Sequence, residues 1–410
     1  MELTTGGIVI LPILAAVAVF RWRLLVPITI LLSPLASMSV LDAPSLSLSL
    51  QPPAAAAGLL LLRGGWYGLQ RPSTALTYLQ RWCLAPLVVL LCWAGFSAIT
   101  LPRAFRDVEV RNADGDTVLL EPSLLHVTQF GYLLMGIALA VVVPIAVRSA
   151  SELQGASRAM VYSGWLAFVL GLVQIQLAGT TNALTRFLFS NQGFLILVDQ
   201  RIDSQVRMAS TLIEPSVAAI FFGGYTAFVL RLSLDRSPIL PRGVLVFSVA
   251  IGALGTVLTL ATTGFVTLAI MLLVVLLMAL RERRSVHVVA AGVVALGCMV
   301  IATAAAIRFG VISSTSGPWT RTVSLLTTEK ADSESGEERL AGEQLAMEGF
   351  EQSFGLGLGW GSSRAFSLTS TVLANLGIPG VAIATWCFLR LRRAVRTTSR
   401  LTLRTGSALT

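Results

Sequence analysis

The feature that most constrains this chain is a series of apolar segments that recurs along nearly its whole length. Eleven such segments can be distinguished, and none carries a charged residue at its centre. They lie at residues 5–20, 24–41, 45–62, 82–100, 124–147, 159–178, 211–232, 243–261, 264–280, 286–307 and 366–389. A helix needs about 20 apolar residues to cross the hydrocarbon core of a bilayer. The sequence therefore predicts an all-α integral membrane protein with about 11 transmembrane helices, in a range of about 10–12.

The composition excludes an ordinary soluble domain. Hydrophobic residues make up 55% of the 410 residues and charged residues only 12%, whereas soluble domains have about 45–50% and about 25%. The formal net charge is +9, and a basic surplus can indicate nucleic-acid binding. In a chain with many spans it indicates orientation instead, because Lys and Arg collect in short cytoplasmic loops. We therefore expect the lipid bilayer as a partner and no nucleic acid.

One set of arginines recurs in every second loop, which predicts the topology. They are Arg21, Arg23, Arg63, Arg71, Arg81, Arg148, Arg158, Arg231, Arg236, Arg242, Arg281, Arg283, Arg284 and the tail from Arg390 to Arg404. These loops are expected to be cytoplasmic, with the N-terminus outside and the C-terminus in the cytoplasm. Residues 1–410 then form a single polytopic membrane domain. Its long extracytoplasmic loops are 101–123, 179–210 and the large loop 308–365 before the last span.

Two of these outer loops carry signals for local structure. Residues 108–120 hold two short alternating runs around an Asp-Gly turn, which predicts a β-hairpin. In the loop 308–365, Ser335 is followed three residues later by Glu338, a capping-box pattern that predicts a helix to about Phe350. The apolar side of this helix would hold Leu340, Met347 and Phe350.

A first candidate site contains Arg201, Arg207 and the run Glu214-Pro215-Ser216, at the predicted outer end of the seventh span. Guanidinium groups suit phosphate because they present a planar fork of donors and stay charged. Lipid-linked diphosphates are the anionic ligands expected at such a depth, and an ionisable residue near the membrane is a functional candidate. The alternative is that Glu214 only favours the helix dipole and that the arginines only snorkel to the interface.

A second candidate site contains Arg339 and the glycine-rich stretch 355–380. Its closely spaced glycines are Gly355, Gly357, Gly359 and Gly361. Glycines permit unusual backbone conformations, and their amides could hold an anion in a nest. The alternative is a flexible connection into the last span, in which Pro379 and Gly380 predict a kink.

Other polar residues carry weaker signals. The turn Thr262-Thr263-Gly264 could contact a sugar or a phosphate, but close helix packing is the preferred interpretation. A basic lining of the outer loops by Arg308, Arg321 and Arg364 could attract an anionic substrate, and solvated surface charge explains each equally well. His126 and His287 lie at span edges and are interpreted as interfacial side chains. We expect no metal site and no cofactor, since the few histidines and cysteines form no zinc or haem pattern.

In their order along the chain, these features resemble the O-antigen polymerase and O-antigen ligase superfamily of bacterial polytopic membrane glycosyltransferases. The likeness spans most of the chain. It comprises an Arg before an EPS-type motif, a small hydroxyl turn, an Arg before a glycine cluster in a large outer loop, and a near-terminal Gly-Ile-Pro-Gly. Here these are Arg207 with Glu214-Pro215-Ser216, Thr262-Thr263-Gly264, Arg339, and Gly355 through Ser363. Ligases of this superfamily are associated with a functional His in the large outer loop. Residues 308–365 contain no His, which favours the polymerase branch.

The resemblance implies a metal-independent, inverting transfer on the outer face of the bacterial cytoplasmic (inner) membrane. A growing chain on polyprenyl diphosphate would pass to a hydroxyl of the next lipid-linked repeat unit. Cations would stabilise the departing diphosphate, and a base would activate the acceptor hydroxyl. The catalytic residues would be Arg207, Arg339 and, as the base, Glu214. The substrate-binding residues would be Arg201, Arg321, Gly357, Gly359, Ser362 and Arg364.

The partners that follow are the polyprenyl-diphosphate-linked oligosaccharide donor and acceptor, a chain-length regulator and a flippase. Two other functions stay open. One is an O-antigen ligase-type glycan transferase, which needs a chemically different acceptor. The other is a lipid-linked glycan flippase or transporter, although the paired broken helices of many transporters have no counterpart in two related halves of this sequence.

Overall fold

The structure is a computed structural model of the chain. It describes residues 2–43, 48–70, 78–111, 116–180, 183–190, 200–202, 205–233, 239–281, 334–365 and 367–406. These residues are mostly helical and divide into two compact units. Unit 1 comprises residues 1–63 and 146–329, and unit 2 comprises residues 64–145 and 330–410.

The described residues form twelve α-helices and seven short strands. The helices are α1 (Thr5–Phe20), α2 (Leu25–Leu32), α3 (Pro52–Gln70), α4 (Tyr78–Ala104), α5 (Leu124–Ala146), α6 (Ala150–Leu177), α7 (Ala183–Leu188), α8 (Pro215–Ser233), α9 (Arg242–Leu258), α10 (Thr262–Arg281), α11 (Glu334–Gln352) and α12 (Leu368–Gly406). The strands are β1 (Glu2–Leu3), β2 (Leu41–Ala43), β3 (Leu48–Leu50), β4 (Glu109–Arg111), β5 (Thr117–Leu119), β6 (Arg201–Ile202) and β7 (Gln205–Val206). They form three small antiparallel sheets, β1-β2-β3, β4-β5 and β6-β7.

Within the described part of the chain, five helical segments are long and apolar enough to cross a membrane. They are Leu84–Ala104, Leu124–Ala146, Ala150–Leu177, Pro215–Ser233 and Leu368–Arg393. Shorter apolar helices lie at Thr5–Phe20, Trp22–Leu32 and Arg242–Leu258. These helices indicate a membrane protein, in agreement with the composition. The predicted span 286–307 lies outside the described residues.

The predicted spans 24–41 and 45–62 are not two continuous helices. Helix α2 ends at Leu32, just before Pro34, and the chain then runs through a 3-10 turn into β2. Leu and Ser alternate from residue 45 to residue 50, which is the period of a strand, and β3 lies in this stretch. Helix α3 begins only at Pro52, because Pro is favoured in the first helical turn.

The core of unit 1 forms where α8 packs against α9, α10 and α6. Tyr225 and Phe222 of α8 are fully buried, and the Tyr225 hydroxyl donates to the Val161 carbonyl of α6 at 3.1 Å. Glycines allow this approach, since a Cβ atom at Gly164 would lie 2.1 Å from the Tyr225 ring and one at Gly252 would lie 2.3 Å from Thr226 Oγ1. Helix α8, which begins at Pro215, is therefore held in a fixed position by this packing.

In unit 2, α12 packs against α4 and α11, and α11 also contacts β4. The β4-β5 hairpin pairs Val110 with Val118, within the predicted hairpin 108–120, whose turn lies outside the described residues. Helix α11 covers the helix expected from Ser335 to Phe350.

The packed side of α11 differs from the predicted one. Gly342, Ala346 and Gly349 are buried, whereas Leu340 is 60% exposed. A Cβ atom at Gly349 would lie 2.5 Å from Leu358 Cδ1. Helix α11 therefore packs through small residues, because the neighbouring loop comes too close for larger ones.

Candidate functional site

The segment between β7 and α8 is irregular in backbone, yet its central residues are buried in unit 1. Met208, Ala209, Ser210, Thr211 and Leu212 are all buried. Ser210 has a φ of 58°, a left-handed conformation that few residues other than glycine adopt. Such strain persists only where the surroundings determine the backbone. Residues 207–214 are therefore a rigid connection, and we call them the Arg207 segment.

A buried glutamine on α6 holds the Arg207 segment. The Gln174 carbonyl oxygen accepts from the amides of Ala209 at 2.9 Å and Ser210 at 3.1 Å. Its amide nitrogen donates to the Arg207 carbonyl at 3.2 Å. Irregular backbone inside a membrane protein is tolerated where protein supplies its hydrogen bonds. Gln174 supplies three of them from one side chain.

Neighbouring elements supply the remaining backbone partners of this segment. The Met208 amide donates to the Leu258 carbonyl at 3.0 Å, and the Ser37 amide donates to the Thr211 carbonyl at 2.8 Å. The Ser210 hydroxyl donates to the Ala167 carbonyl at 2.6 Å. The segment is thus fixed to the ends of α6 and α9 and to the turn after α2.

We expect the change Gln174→Leu to destabilise unit 1 strongly. It would remove the partners of three backbone groups at a site where Gln174 is 0% exposed, and each such group left unsatisfied costs about 1–3 kcal/mol. The melting temperature of the purified protein in detergent measures this effect. Gln176→Leu is the matched control, because Gln176 is exposed on the same helix. Equal melting temperatures for the two variants would contradict the role given to Gln174.

Arg207 is half-buried, and its guanidinium is oriented by two acceptors. Its Nε donates to the Thr259 carbonyl at 3.2 Å, and its Nη1 donates to Gln200 Oε1 at 3.3 Å. The two acceptors are uncharged, and a guanidinium stays protonated in proteins. A fixed cation therefore lies at the C-terminal end of α9.

The β6-β7 hairpin brings a second predicted arginine into the same region. Arg201 pairs with Val206, and the next pair is closed by the Arg207 amide, which donates to the Gln200 carbonyl at 2.9 Å. The Arg201 side chain is exposed. Arg201 and Arg207 thus lie on the two arms of one hairpin, which the sequence analysis did not predict.

Glu214 caps α8, which begins at Pro215. Its carboxylate accepts a hydrogen bond from the Ser216 hydroxyl, and the side chain is half-buried. A carboxylate at a helix N-terminus is favourable for the helix dipole, so this geometry agrees with the structural interpretation of the motif. The carboxylate remains partly accessible, as the catalytic interpretation requires.

Thr262-Thr263-Gly264, predicted as a turn, is the first turn of α10 and serves close packing. A Cβ atom at Gly264 would lie 2.8 Å from Ala219 Cβ and 3.0 Å from Thr256 Cγ2. Helices α8, α9 and α10 meet at this position. This agrees with the interpretation preferred from the sequence.

In unit 2 the second candidate site is built around a break in α12. Gly377 has φ 65° and ψ −166°, which interrupts the helix. Pro379 lacks an amide hydrogen, so the Asn375 carbonyl cannot make its normal helical bond. The residues from Ser353 to Arg364, which we call the glycine loop, lie against this break.

The glycine loop supplies the hydrogen bonds that the break removes. The Leu358 amide donates to the Ala374 carbonyl at 2.7 Å, and the Gly359 amide donates to the Asn375 carbonyl at 3.1 Å. The Ile378 amide donates back to the Gly355 carbonyl at 2.9 Å. The Leu376 carbonyl accepts from Trp93 Nε1 of α4 at 2.9 Å. The loop and the broken helix therefore form one hydrogen-bonded unit.

A buried asparagine reinforces this contact. The Asn375 side chain accepts from the Ser363 amide at 3.0 Å and donates to the Ser363 carbonyl at 2.8 Å. It also donates to the Thr371 carbonyl at 2.8 Å. Asn375 thus holds the end of the glycine loop as Gln174 holds the Arg207 segment.

The glycine amides do not form the anion nest that was one of the two interpretations of the sequence. Those of Gly355, Gly357 and Gly359 donate to the Phe350 carbonyl, the Ser353 hydroxyl and the Asn375 carbonyl, respectively. These three amides already have protein acceptors, so they do not form a nest open to an anion. The glycines instead permit positive φ angles and close packing, as at Gly359, where a Cβ atom would lie 2.7 Å from the Ser97 carbonyl oxygen.

His126, which the sequence analysis placed at the edge of a span, contacts the glycine loop. The Ser362 hydroxyl donates to the Leu358 carbonyl at 2.8 Å, so His126 Nε2 donates to Ser362 Oγ at 3.0 Å. The other ring nitrogen accepts from the Ser123 amide at 3.2 Å. His126 is only 5% exposed. It is therefore a buried link between α5 and the loop rather than an interfacial side chain.

The remaining predicted site residues have different surroundings. Arg339 is half-buried on the packed side of α11, one turn before Gly342. Arg364 is exposed, and its amide donates to the Arg111 carbonyl at 3.3 Å. Trp360 is half-buried, with no hydrogen-bond partner for its Nε1 among the residues described. Arg308 and Arg321 lie outside the described residues.

Sequence reasoning missed three residues of these sites, namely Gln174, Asn375 and His126. Gln174 and Asn375 are amides inside apolar stretches, and a polar side chain in such a stretch is a usable signal. The sequence gave no sign that His126 contacts the glycine loop, because its partner Ser362 is far away in the chain.

Comparisons of this chain with protein-family models, with curated proteins and with solved structures found no match. The apolar helices of the described residues indicate a helical membrane protein. Each of its two units contains one irregular segment that a buried amide side chain holds by hydrogen bonds, Gln174 in unit 1 and Asn375 in unit 2.

Proposed function

We propose that this protein is a polysaccharide polymerase that joins polyprenyl-diphosphate-linked repeat units at the outer face of the bacterial cytoplasmic membrane. The product would be an O-antigen-like glycan or an exopolysaccharide. The observation that carries the proposal is the Arg207 segment. It holds a cation on rigid backbone at the ends of apolar helices, where an anionic lipid headgroup can be reached.

The chemistry of the transfer agrees with this arrangement. Transfer of a glycan from a lipid diphosphate leaves negative charge on the departing group, and a preorganised cation lowers the energy of such a transition state. In the proposal, Arg207 contacts the diphosphate and Arg201 adds a second cation from the same hairpin. Glu214 accepts the proton of the acceptor hydroxyl, for which it must come within hydrogen-bond reach. In unit 2, Arg339 is a further proposed catalytic cation, and Gly357, Gly359, Ser362 and Arg364 of the glycine loop are proposed substrate-binding residues.

The proposed topology has about 11 spans, with the N-terminus outside, the C-terminus in the cytoplasm and the large loop 308–365 outside. Contacts at one end of unit 1 support it. Arg23 of the turn after α1 forms an ion pair with Glu152 at 2.8 Å, and Arg63 Nε donates to the Ala18 carbonyl at 3.2 Å. Each contact joins residues in, or within one turn of, the loops that the arginine distribution predicts on the cytoplasmic side.

Contacts at the other end of unit 1 agree with the same topology. The Thr4 hydroxyl donates to the Ser39 carbonyl at 2.5 Å, and the Ser39 amide donates to Ser190 Oγ at 3.0 Å. Arg207 Nε donates to the Thr259 carbonyl. These residues lie at the N-terminus, in predicted outer loops, or, for Ser39 and Thr259, near the predicted outer ends of the spans 24–41 and 243–261. These contacts of unit 1 therefore join residues that are predicted to lie on the same side of the membrane.

The ligase alternative gains support from one observation. The large loop contains no His, but His126 Nε2 donates to Ser362 of that loop at 3.0 Å. An imidazole from α5 is thus present where the resemblance leads one to look for a histidine. The ligase remains the second candidate function.

The size distribution of lipid-linked and surface glycan, in cells with and without the gene, tests the proposal. We expect the long-chain ladder to collapse to single exported repeat units when the gene is deleted. Persistence of long lipid-linked polymer that no longer reaches its final acceptor would identify a ligase. Retention of units on the cytoplasmic leaflet would identify a flippase, and an unchanged pattern would contradict all three functions.

A further inference from the structure

An apolar groove of about 410 Å³ runs between α6 and α9 on the surface of unit 1. It is lined by aliphatic and aromatic side chains. Among them are Trp165, Phe168 and Leu172 of α6 and Phe247, Ile251 and Leu254 of α9. Helix α6 is long and apolar enough to cross a membrane. The ligand that suits this groove is therefore a hydrocarbon chain.

The groove is closed at one end by an aromatic pair. The rings of Trp165 and Phe247 meet edge to face, with centroids 5.7 Å apart at 87°. Trp165 Nε1 donates to Ser248 Oγ at 2.8 Å, which fixes the orientation of the indole. From Trp165 to Leu172 the groove follows seven residues of helix, which is about 10 Å at the helical rise. It can thus hold only a short part of a long lipid chain.

Beyond the other end of the groove, the two helices that line it hold the Arg207 segment. Phe168 and Leu254 pack against the core cluster that contains Met208. Gln174 follows Leu172 by two residues on α6, and Leu258 follows Leu254 by one turn on α9. Gln174 and Leu258 are the residues that bind the backbone of the Arg207 segment. The apolar lining therefore begins about 3–6 Å along each helix from the side chain or carbonyl that holds this segment.

We propose that this groove holds the first part of the isoprenoid chain of a lipid-linked diphosphate, with the diphosphate at Arg207. The inference rests on the proposed function and adds a binding site for the lipid half of the substrate. In an isoprenoid diphosphate the hydrocarbon begins directly at the phosphate ester. In a phospholipid, glycerol and two polar esters separate the phosphate from the acyl chains. The residues that line the groove are all apolar and offer no partner for such esters, so the groove fits the isoprenoid.

Photolabelling of the full-length protein tests the site. The probe is farnesyl diphosphate with a diazirine on its second isoprene unit, added to protein in phosphatidylcholine nanodiscs. We expect labelled residues on the groove faces of α6 and α9. We expect Ala250→Phe, which fills the groove from α9, to reduce this labelling at least ten-fold. Ala269→Phe is the matched control, because Ala269 is exposed on α10 away from the groove.

Two further variants separate ligand loss from misfolding. Val169→Trp fills the groove from α6, where Val169 is 56% exposed and a larger side chain does not disturb the core. Arg207→Gln removes the charge while leaving the groove open. Both are expected to reduce labelling at least ten-fold while their melting temperatures stay close to that of the wild type. Undiminished labelling of both Ala250→Phe and Val169→Trp would overturn the proposal.

The source of the hydrocarbon is decided by competition. Unlabelled farnesyl diphosphate is expected to displace the probe, whereas phosphatidylglycerol in the nanodisc is not. Equal displacement by phosphatidylglycerol would assign the groove to an ordinary phospholipid and overturn the proposal.

Failure of the groove inference is distinguishable from failure of the polymerase function. If deletion collapses the ladder while the filled variants still label, only the groove inference fails. If labelling follows the variants while the ladder is unchanged, the groove inference holds and the polymerase function fails.

Discussion

Cells that carry Arg207→Ala in place of the wild-type protein are expected to lose long-chain glycan while the protein remains in the membrane. The substitution removes the cation that the hairpin and α9 hold at a fixed position through Thr259 and Gln200. Loss of one preorganised group that stabilises transition-state charge costs about 10²–10³ in rate. The glycan ladder on a gel measures the loss, with the amount of membrane protein measured in parallel.

Two variants give this prediction its controls. Arg242→Ala removes an exposed arginine from the other end of α9 and is expected to leave the ladder unchanged. Arg207→Gln keeps a side-chain N–H donor that can reach the Thr259 carbonyl but carries no charge. It is expected to lose polymer as Arg207→Ala does. A normal ladder from Arg207→Gln would show that the charge is not used, and a normal ladder from Arg207→Ala would remove the residue from the site.

The change Gly377→Ala is expected to disrupt the contact between the glycine loop and α12 and so to destabilise unit 2. A Cβ atom at this position would lie 2.3 Å from the carbonyl carbon of Leu356 and 2.4 Å from the carbonyl oxygen of Gly355. Gly377 also has φ 65°, which an alanine adopts only at a cost. Backbone strain and overpacking each cost about 1–3 kcal/mol, so the free energy of unfolding should fall by at least about 2 kcal/mol. Thermal unfolding of the purified protein measures the fall.

Gly131→Ala is the matched control in the same unit. Gly131 lies inside α5, and no atom lies within 4 Å of the position its Cβ would take. Alanine is the better helix former by about 1 kcal/mol, so this variant should be as stable as the wild type or more stable. Similar unfolding of the two variants would show that the close contact at Gly377 does not hold the loop.

Sequence periodicity and hydropathy predicted those elements whose stability is local. The capping pattern near Ser335 gave α11, and the alternating runs around residue 112 gave the β4-β5 hairpin. Pro215 marked the start of α8. In each case neighbouring residues determine the backbone conformation, so their pattern is sufficient.

The same reasoning failed where distant residues determine the backbone. The apolar residues 24–41 were interpreted as a helix, but the chain leaves helical conformation after Leu32 and extends to pair with β1 and β3. The glycines from Gly355 to Gly361 suggested an anion nest, but the amides of Gly355, Gly357 and Gly359 bond to the Phe350 carbonyl, the Ser353 hydroxyl and the Asn375 carbonyl. Hydropathy predicts neither of these two backbone conformations, because it does not specify which backbone donor bonds to which acceptor.

The candidate sites were predicted in part for the same reason. The arginines and Glu214 were found because charge is conspicuous in an apolar chain. Gln174 and Asn375 position the backbone of these sites and are uncharged. Their role depends on the distances from α6 to Ala209 and from α12 to Ser363, which only a folded chain defines.

The break in α12 has a consequence for how unit 2 is inserted into a bilayer. An unbroken helix satisfies its own backbone and can enter hydrocarbon alone. Helix α12 cannot, because the carbonyls of Ala374, Asn375 and Leu376 accept from Leu358, Gly359 and Trp93. A carbonyl left without a donor in hydrocarbon costs several kcal/mol. Helix α12 is therefore not an independent insertion unit. We therefore expect its partition into the membrane to be coupled to the docking of the glycine loop and α4, which supply the missing donors.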